Sequence, residues 1–447
     1  MKMLSAISLL IFTSSVLSSA QAESVERPRP AGWERLVSGG RFMDRFEASK
    51  PLGELTSASW GGDNVKPRDV RNGMEAPDYS YWGGTITLVD GKYHLFVARW
   101  KESEPKGHMY WPRSEIAHCV SSRPDGDFKF VEVLGAGHNP EFFRCKDGTV
   151  AVYCVNNRGK AHVYRSATVN GPWTFSRLEL DLNGRKLVEG ESNFSFCRRP
   201  DGSVLAVCRG GAIWLSEDGL QPFRMMTGRV YPDVAGRFED PVLWRDEVQY
   251  HLIVNDWLGR VAWYLTSPDG FTWATQPGEA YQPGIAKVVG GISNDWYKYE
   301  RMRVTRDEYG RVFQANFAVI DCEKKKDRGS DNHSSKNITI PVNPGRRIES
   351  LKKTRKGWEV RVAKERGFNP LTDIDVPSVI LGPQSFVAFG QGVKAIGTDE
   401  ANGDLVLIFP PVELDSPVVK VLGQEKGGRL FFATARTDGT KLGGDCR

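Results

Sequence analysis

The sequence predicts an all-β protein: a five-bladed β-propeller over residues 60–342, then a small C-terminal β-sandwich-like module over 343–447. Three observations carry this. One strand type recurs once per blade, one turn recurs in step with it, and short β-branched and aromatic runs are broken by 47 glycines and 25 prolines.

The N-terminus is set apart first. Lys2, the apolar run from Leu4 to Leu17 and the small residues Ala20-Gln21-Ala22 read as a secretory signal over 1–22. The run is short for a membrane span, and no later stretch approaches the roughly 20 apolar residues that a membrane helix needs. No cysteine follows the small-residue site, so nothing suggests a lipid anchor. The expected location is the periplasm or the outside of the cell, with no membrane partner. Residues 23–59 are expected to form an N-terminal extension that wraps the propeller or joins a partner chain. About 425 residues then remain, enough for a large domain and a small one.

The recurring strand runs from Gly91 to Ala98, Gly148 to Val155, Gly202 to Arg209, Val248 to Asn255 and Gly310 to Phe317. Its period, about 45 to 63 residues, is that of a four-stranded propeller blade. The recurring turn appears as Asp125-Gly126, Asn170-Gly171, Asp218-Gly219 and Asp269-Gly270, followed by Phe128, Trp173, Phe223 and Phe271 or Trp273. Asp-Gly and Asn-Gly supply the tight turn, and the aromatic can pack the outer strand back onto its blade.

A propeller gathers the innermost strand of each blade around a shared axis, so equal phase implies equal radius. About nine to eleven residues before each repeated strand stand Trp82, His138, Glu191, Glu239 and Glu300. An unpaired carboxylate at such a position is costly. Three glutamates and a histidine converging on one axis are therefore hard to explain by stability. Carboxylates around an axial pocket suit glycoside hydrolysis: one acid is kept protonated by like-charged neighbours, and one base activates water or attacks directly. Propeller axes tend to hold such groups far enough apart to admit a water, which favours inversion.

These residues resemble the axial set of exported five-bladed propellers in glycoside hydrolase family 43 and its relatives, such as family 117, over roughly residues 60 to 340. The resemblance implies an aspartate base in the first blade, for which Asp78 is nearest, a modulating aspartate in the second and a glutamate acid in the third, matched by Glu191 with Glu189 close by. The second blade departs, because Asn139-Pro140 stands where that family has Asp-Pro, while Glu239-Asp240-Pro241 in the fourth offers a substitute acidic pair. The likeness to family 117 implies an acid from a late loop, for which His333 is the candidate. The expected catalytic residues are thus Asp78, Glu191, Glu239 and His333. The expected sugar-binding residues are Trp82, His138, Asn139, Asn193, Asp240, Trp257, Glu300 and Arg301.

Other features are read more simply. Trp82, Trp257 and Trp296 near the rim suit the apolar faces of sugars or belong to the core. Glu300-Arg301 also reads as a structural ion pair. Residues 60–76 either line the pocket mouth with Arg68 or Glu75, or pair their charges among themselves. The seven cysteines lack close zinc-site spacing and read mostly as small buried hydrophobes, and their odd number leaves at least one unpaired within the chain. Net charge is +5, with basic runs at Lys324 to Lys326 and Lys352 to Lys356 that read as solvated loops. Export excludes nucleic acid as a natural partner and makes an acidic polysaccharide the better one. No cofactor is required, although carboxylates, a histidine and an asparagine on the axis could hold calcium. In the C-terminal part, strands are expected at Ser385–Phe389, Val393–Ile396, Leu405–Phe409, Val418–Val421 and Leu430–Ala435. The leading expectation is an exo-acting glycoside hydrolase on plant or algal polysaccharide fragments. Two others are a non-catalytic sugar-binding propeller and a polysaccharide lyase using His138 with Tyr79 or Tyr81.

Overall fold

A computed structural model describes residues 23–187, 189–190 and 192–444; the segment 1–22 expected to be a secretory signal, Glu191 and Cys446 lie outside the described residues. Alternating apolar runs and Asp-Gly turns fold into many small antiparallel sheets. Five of them follow one another along the chain. The first comprises Tyr79–Val89, Lys92–Lys101, Glu115–Ser121 and Lys129–Ala136, and the second His138–Arg144, Val150–Val155, Ala161–Ser166 and Thr174–Arg177. The third comprises Ser195–Arg198, Val204–Val207, Ala212–Ser216 and Phe223–Arg229, with Leu180–Asp181 added in parallel at its edge. The fourth comprises Phe238–Arg245, Tyr250–Asp256, Val261–Ser267 and Ala274–Tyr281, and the fifth Lys298–Arg306, Val312–Ile320 and Ser335–Pro341.

The recurring strand of the sequence is the second strand of every sheet, and the recurring turn follows the third. Its chemistry repeats. The backbone N–H of Gly219 donates to Ser216 Oγ at 3.0 Å, and that of Gly270 to Ser267 Oγ at 2.8 Å. The next aromatic returns to its own sheet or the one before, with Phe223 fully buried and Trp173 edge-on to Phe96 at 5.7 Å.

Each neighbouring pair of sheets buries a shared cluster. Phe96 and Ala98 pack with Val152 and Cys154, Phe143 and Tyr153 with Phe196 and Trp214, and Leu205 and Ile213 with Leu252 and Trp263. Trp244 and Ile253 pack with Tyr299 and Phe317, and Trp82 and Trp100 of the first sheet pack with Ala318 and Ile320 of the fifth. The last pair closes a cycle. First strands touch in the same order, ending with the fifth sheet against the first. The three-stranded fifth sheet leaves the edge of Ser335–Pro341 free, and the N-terminal segment covers it: the N–H of Met74 donates to Asn337 O at 2.9 Å and that of Asn337 to Met74 O at 3.2 Å.

Beyond residue 342 two further four-stranded antiparallel sheets face each other. Trp358, Val360, Leu407 and Phe409 of one meet Leu381, Val419, Val421 and Phe431 of the other in one cluster. The strand expected at Ser385–Phe389 is instead the short helix Gln384–Val387. A short apolar run does not separate helix from strand by periodicity, and here Val387 is buried while Phe386 is exposed. Ile348–Thr354, Gly357–Val362 and Ile374–Pro383 are strands that the sequence reading did not mark. Of the six described cysteines, five are buried. Among the described residues no helix is long and apolar enough to cross a membrane.

Candidate active site

The first strand of four of the five sheets is interrupted at the same place. Pairing skips between Trp82 and Thr85, His138 and Glu141, Glu239 and Val242, and Glu300 and Arg303. The residue after the first of each pair has a positive φ: Gly83 at 66°, Asn139 at 54°, Asp240 at 55° and Arg301 at 51°. Asn193, at 55°, is the counterpart before the third sheet. Asn and Asp tolerate this left-handed conformation better than other side chains, and Arg301 is held in it by a fully buried pair with Asp240, Nη1 to Oδ1 at 3.0 Å. Each bulge re-aims the side chain before it. Trp82, His138, Glu239 and Glu300 consequently line one cavity of about 580 Å³, joined by Ser192 from the segment before the third sheet, within the roughly 300–1,000 Å³ usual for small-molecule sites.

Two glutamates with different surroundings dominate its chemistry. Glu239 Oε1 accepts from Asn193 Nδ2 at 2.7 Å and Arg209 Nη1 at 3.1 Å. Burial, then the charges of Asp240 and Glu300, push its carboxyl up to about 7, against the pull of Arg209 and Lys324. Glu300 is salt-bridged on one oxygen to Lys324 Nζ at 2.6 Å and on the other to Lys298 Nζ at 3.8 Å. Burial works to lower the Lys324 ammonium, but Glu300 outweighs it and the net shift is upward. The same ammonium lies 4.6 Å from the centre of the Trp82 ring. His108 meets Trp82 edge-on at 4.5 Å, and His138 Nδ1 lies 2.9 Å from Ser114 Oγ. Burial and the nearby cations hold both imidazoles well below their usual range, so they are neutral at pH 7.

A second tier sits beneath. Asn139 Nδ2 donates to Asn193 Oδ1 at 2.9 Å, so Asn193 joins Asn139 to Glu239, and Arg301 Nη2 donates to Asn139 O at 3.3 Å.

In fold the chain is similar to solved glycoside hydrolases of families 117, 62 and 43. Zg3597, a family 117 glycoside hydrolase of the marine bacterium Zobellia galactanivorans, aligns over 67% of this chain and 90% of its own at 11% identity, with a TM-score of 0.44. The catalytic domain of a Coprinopsis cinerea GH62 α-L-arabinofuranosidase covers 67% of this chain and 96% of its own at 13% identity, TM-score 0.45. A GH43_1 enzyme of Xanthomonas citri, solved with xylose, covers 64% and 90% at 12% identity, TM-score 0.39. No protein-family model and no curated protein matches the chain. At such identities and TM-scores these likenesses transfer neither a residue role nor a substrate.

Of the expected site residues, Trp82, His138, Asn139, Asn193, Glu239, Asp240, Trp257 and Glu300 line the cavity. Arg301 lies beneath it and pairs with Asp240, which replaces the expected Glu300–Arg301 pair. Glu191 falls outside the described residues. The residue in phase with Glu239 is Ser192, because the positive φ falls at Asn193, so the sequence alignment of the third sheet stands one residue early. Asp78 does not line the cavity: it is exposed, just outside the strand that begins at Tyr79. His333 does not line it either. Its Nδ1 lies 2.8 Å from Asp321 Oδ2, and Asp321, Cys322 and His333, none of which lines the cavity, bring one ligand atom each within 4.8 Å of one another. Trp296 is core, packed on Trp60.

The segment 60–76 pairs its charges partly within itself and partly with the sheets: Glu75 bridges Arg68 and Lys336, each at 2.8 Å, with Arg68 beneath the Trp60 ring, and Arg71 pairs with Asp127 at 2.6 Å. Neither Tyr79 nor Tyr81 reaches the cavity, and burial pushes the Tyr81 phenol upward, so the expected lyase pair is not assembled. Sequence reasoning missed Arg209, Lys298, Lys324 and His108. Lys324 belongs to the run read as a solvated loop, whereas it is half-buried on Glu300.

Proposed function

We propose that this chain is an exported, exo-acting and inverting glycoside hydrolase on oligosaccharide fragments of plant or algal polysaccharide. In this reading it is a five-bladed β-propeller over 60–342 with an N-terminal extension over 23–59 and a C-terminal β-sandwich-like module over 343–447. The closed cycle of sheet contacts supports the ring. The observation that carries the function is the pair of unlike carboxyls: Glu239, pushed up to about 7, in one cavity with Glu300, salt-bridged to two lysines. Glu239 donates a proton to the leaving oxygen, and Glu300 acts as the base that activates water. Trp82 and Trp257 offer ring faces to the sugar, and the second tier holds Glu239 in place. Glu191, between the lining residues Gly190 and Ser192 in sequence, is the remaining candidate carboxylate.

No cofactor takes part in this reading. Glu239 faces Arg209, Glu300 faces Lys324 and Lys298, and Asp240 faces Arg301, so little uncompensated negative charge is left for calcium. The mix of cations and acids suits a sugar that is itself acidic.

The test is a screen of the purified chain against defined neutral and acidic oligosaccharides, with the released anomer followed by NMR. Cleavage with inverted configuration is expected. Retention would remove the assignment of Glu300 as base, and binding without cleavage would leave a sugar-binding protein.

A further inference from the structure

A second cavity lies away from the axis, where the fourth and fifth sheets meet the C-terminal sheets. Phe42, Arg45, Trp244, Gln249, Lys420 and Phe432 are among its walls. Two cations share one aromatic ring there. The Arg45 guanidinium carbon is 4.5 Å from the centre of Phe42 and 4.8 Å from that of Phe432, and Lys420 Nζ is 5.6 Å from Phe432. Their hydrogen bonds go to neutral carbonyls, Arg45 Nε to Asn343 O at 3.1 Å and Lys420 Nζ to Gly39 O at 2.5 Å. Among the described residues neither has a carboxylate at ion-pair distance.

The acids nearby are committed elsewhere. Asp246 lies 2.9 Å from His251 Nε2 and accepts from the N–H groups of Val248 and Gln249. Glu247 faces Arg347 at 3.3 Å and Lys441 at 3.5 Å, while Asp44 pairs with Arg41 at 2.9 Å and accepts from Gly39 N. Two neighbouring positive charges are therefore half-buried between layers with no ion-pair partner of their own; Asp246 and Asp44 reach them only through longer-range attraction, an arrangement that an isolated protein stabilises poorly. Burial, then repulsion from Arg45, pushes the Lys420 ammonium down to about 8, and burial brings Arg45 down to about 10.

We propose that this cavity binds an oxyanion, a carboxylate, sulfate or phosphate group, held between Arg45 and Lys420. Arginine's fork and lysine's ammonium are the usual recognition pair for such a group. Because Arg45 precedes the first sheet and Lys420 and Phe432 belong to one C-terminal sheet, an anion here ties two distant parts of the chain together. This site is independent of the axial chemistry.

The experiment follows thermal unfolding of the full chain at pH 7 in sodium sulfate, sodium phosphate or sodium galacturonate, each against sodium chloride of equal ionic strength. A saturable rise in Tm with at least one anion is expected, and it should disappear in Lys420→Met and in Arg45→Met. Both variants should melt higher than wild type in chloride alone, since each removes one of two half-buried like charges that have no ion-pair partner. General salting by sulfate does not saturate and survives in both variants. A response to sulfate or phosphate identifies a free inorganic anion as ligand, and a response to galacturonate alone identifies an acid carried on a sugar. Should the variants not fold, acylation of Lys420 in wild type at pH 8, read by mass spectrometry, replaces them. Its rate should fall about tenfold at ten times the half-saturating anion concentration. No saturable rise with any of the three anions, a rise retained in both variants, or an unprotected Lys420 overturns the proposal.

Discussion

Replacing Glu239 by Gln separates the proposed acid from its structural surroundings. Gln keeps an Oε1 able to accept from Asn193 and Arg209 and removes only the titrating proton. The carboxyl sits at about 7 in the folded protein, against about 4.5 for an ordinary glutamate. A group raised in this way is protonated in both states below about pH 4.5, and between there and 7 only the folded chain keeps its proton. Its stabilising contribution is thus full at low pH and lost as pH rises through 7. Raising the carboxyl from about 4.5 to about 7 corresponds to about 3 kcal/mol. Melting temperatures of Glu239→Gln and wild type should therefore nearly coincide at pH 4.5, while at pH 8 the variant should melt a few degrees higher. On the oligosaccharide that wild type cleaves, turnover should fall roughly 10²–10⁴-fold. The alkaline limb of the wild-type pH–rate profile, near 7, should vanish in the variant. A Tm difference that is the same at both pH values would refute the raised carboxyl. Near-wild-type turnover would refute its role as acid.

Three further outcomes follow from neighbouring groups. Arg209→Gln removes the cation that holds Glu239 down, so the alkaline limb of kcat should move to higher pH, and a limb moving to lower pH would reverse the assigned sign. Asp327 is fully buried, with Oδ2 accepting from His108 N at 2.7 Å and Oδ1 unpartnered, and burial, then Glu102, pushes it up to about 7. Its contribution is present at low pH and lost as pH rises from about 4 through 7, so Asp327→Asn should be about 4 kcal/mol more stable than wild type at pH 8 and level with it at pH 3.5, as read by denaturant unfolding. Exhaustive chelation should leave turnover unchanged, and a loss restored by added calcium would put a metal into the mechanism.

Much of the architecture is legible because it repeats. The second strands and the Asp-Gly turns depend on local chemistry, a β-branched run and a serine hydroxyl that receives a glycine N–H, so they print themselves on the sequence. The bulge is legible only where it has a marker. Pro140 and Pro241 follow the left-handed residue in the second and fourth sheets, but Phe194 stands in that place before the third, and without the proline the phase slips by one. Lys324 was illegible for another reason. A lysine within a run of three looks solvated, and its place depends on the segment after Val312–Ile320 turning back over the axis to reach Glu300 and Trp82. Ser385 to Phe389 reads equally as strand or helix, and packing of Val387 on Leu422 and Phe432 decides it.

The phase of the bulge explains why the axis is polar through its depth. One residue beyond the cavity-lining position come Gly83, Asn139, Asn193, Asp240 and Arg301; two further come Thr85, Glu141, Ser195, Val242 and Arg303. In that deepest tier Ser195 Oγ donates to Glu141 Oε1 at 2.9 Å, and Arg303 is salt-bridged to the other oxygen of Glu141. Each left-handed non-glycine residue costs of order 1–3 kcal/mol, and a buried ion pair is weak evidence of stability. A ring selected for stability alone would fill these positions with Val and Ala, as it does in the neighbouring second strands. The polar tiers are instead coupled to Glu239 above them through Asn139 and Asn193, and held together within by Arg301 on Asp240. What they hold in place is the difference in environment between Glu239 and Glu300, and that difference is what proton donation and water activation in one cavity require.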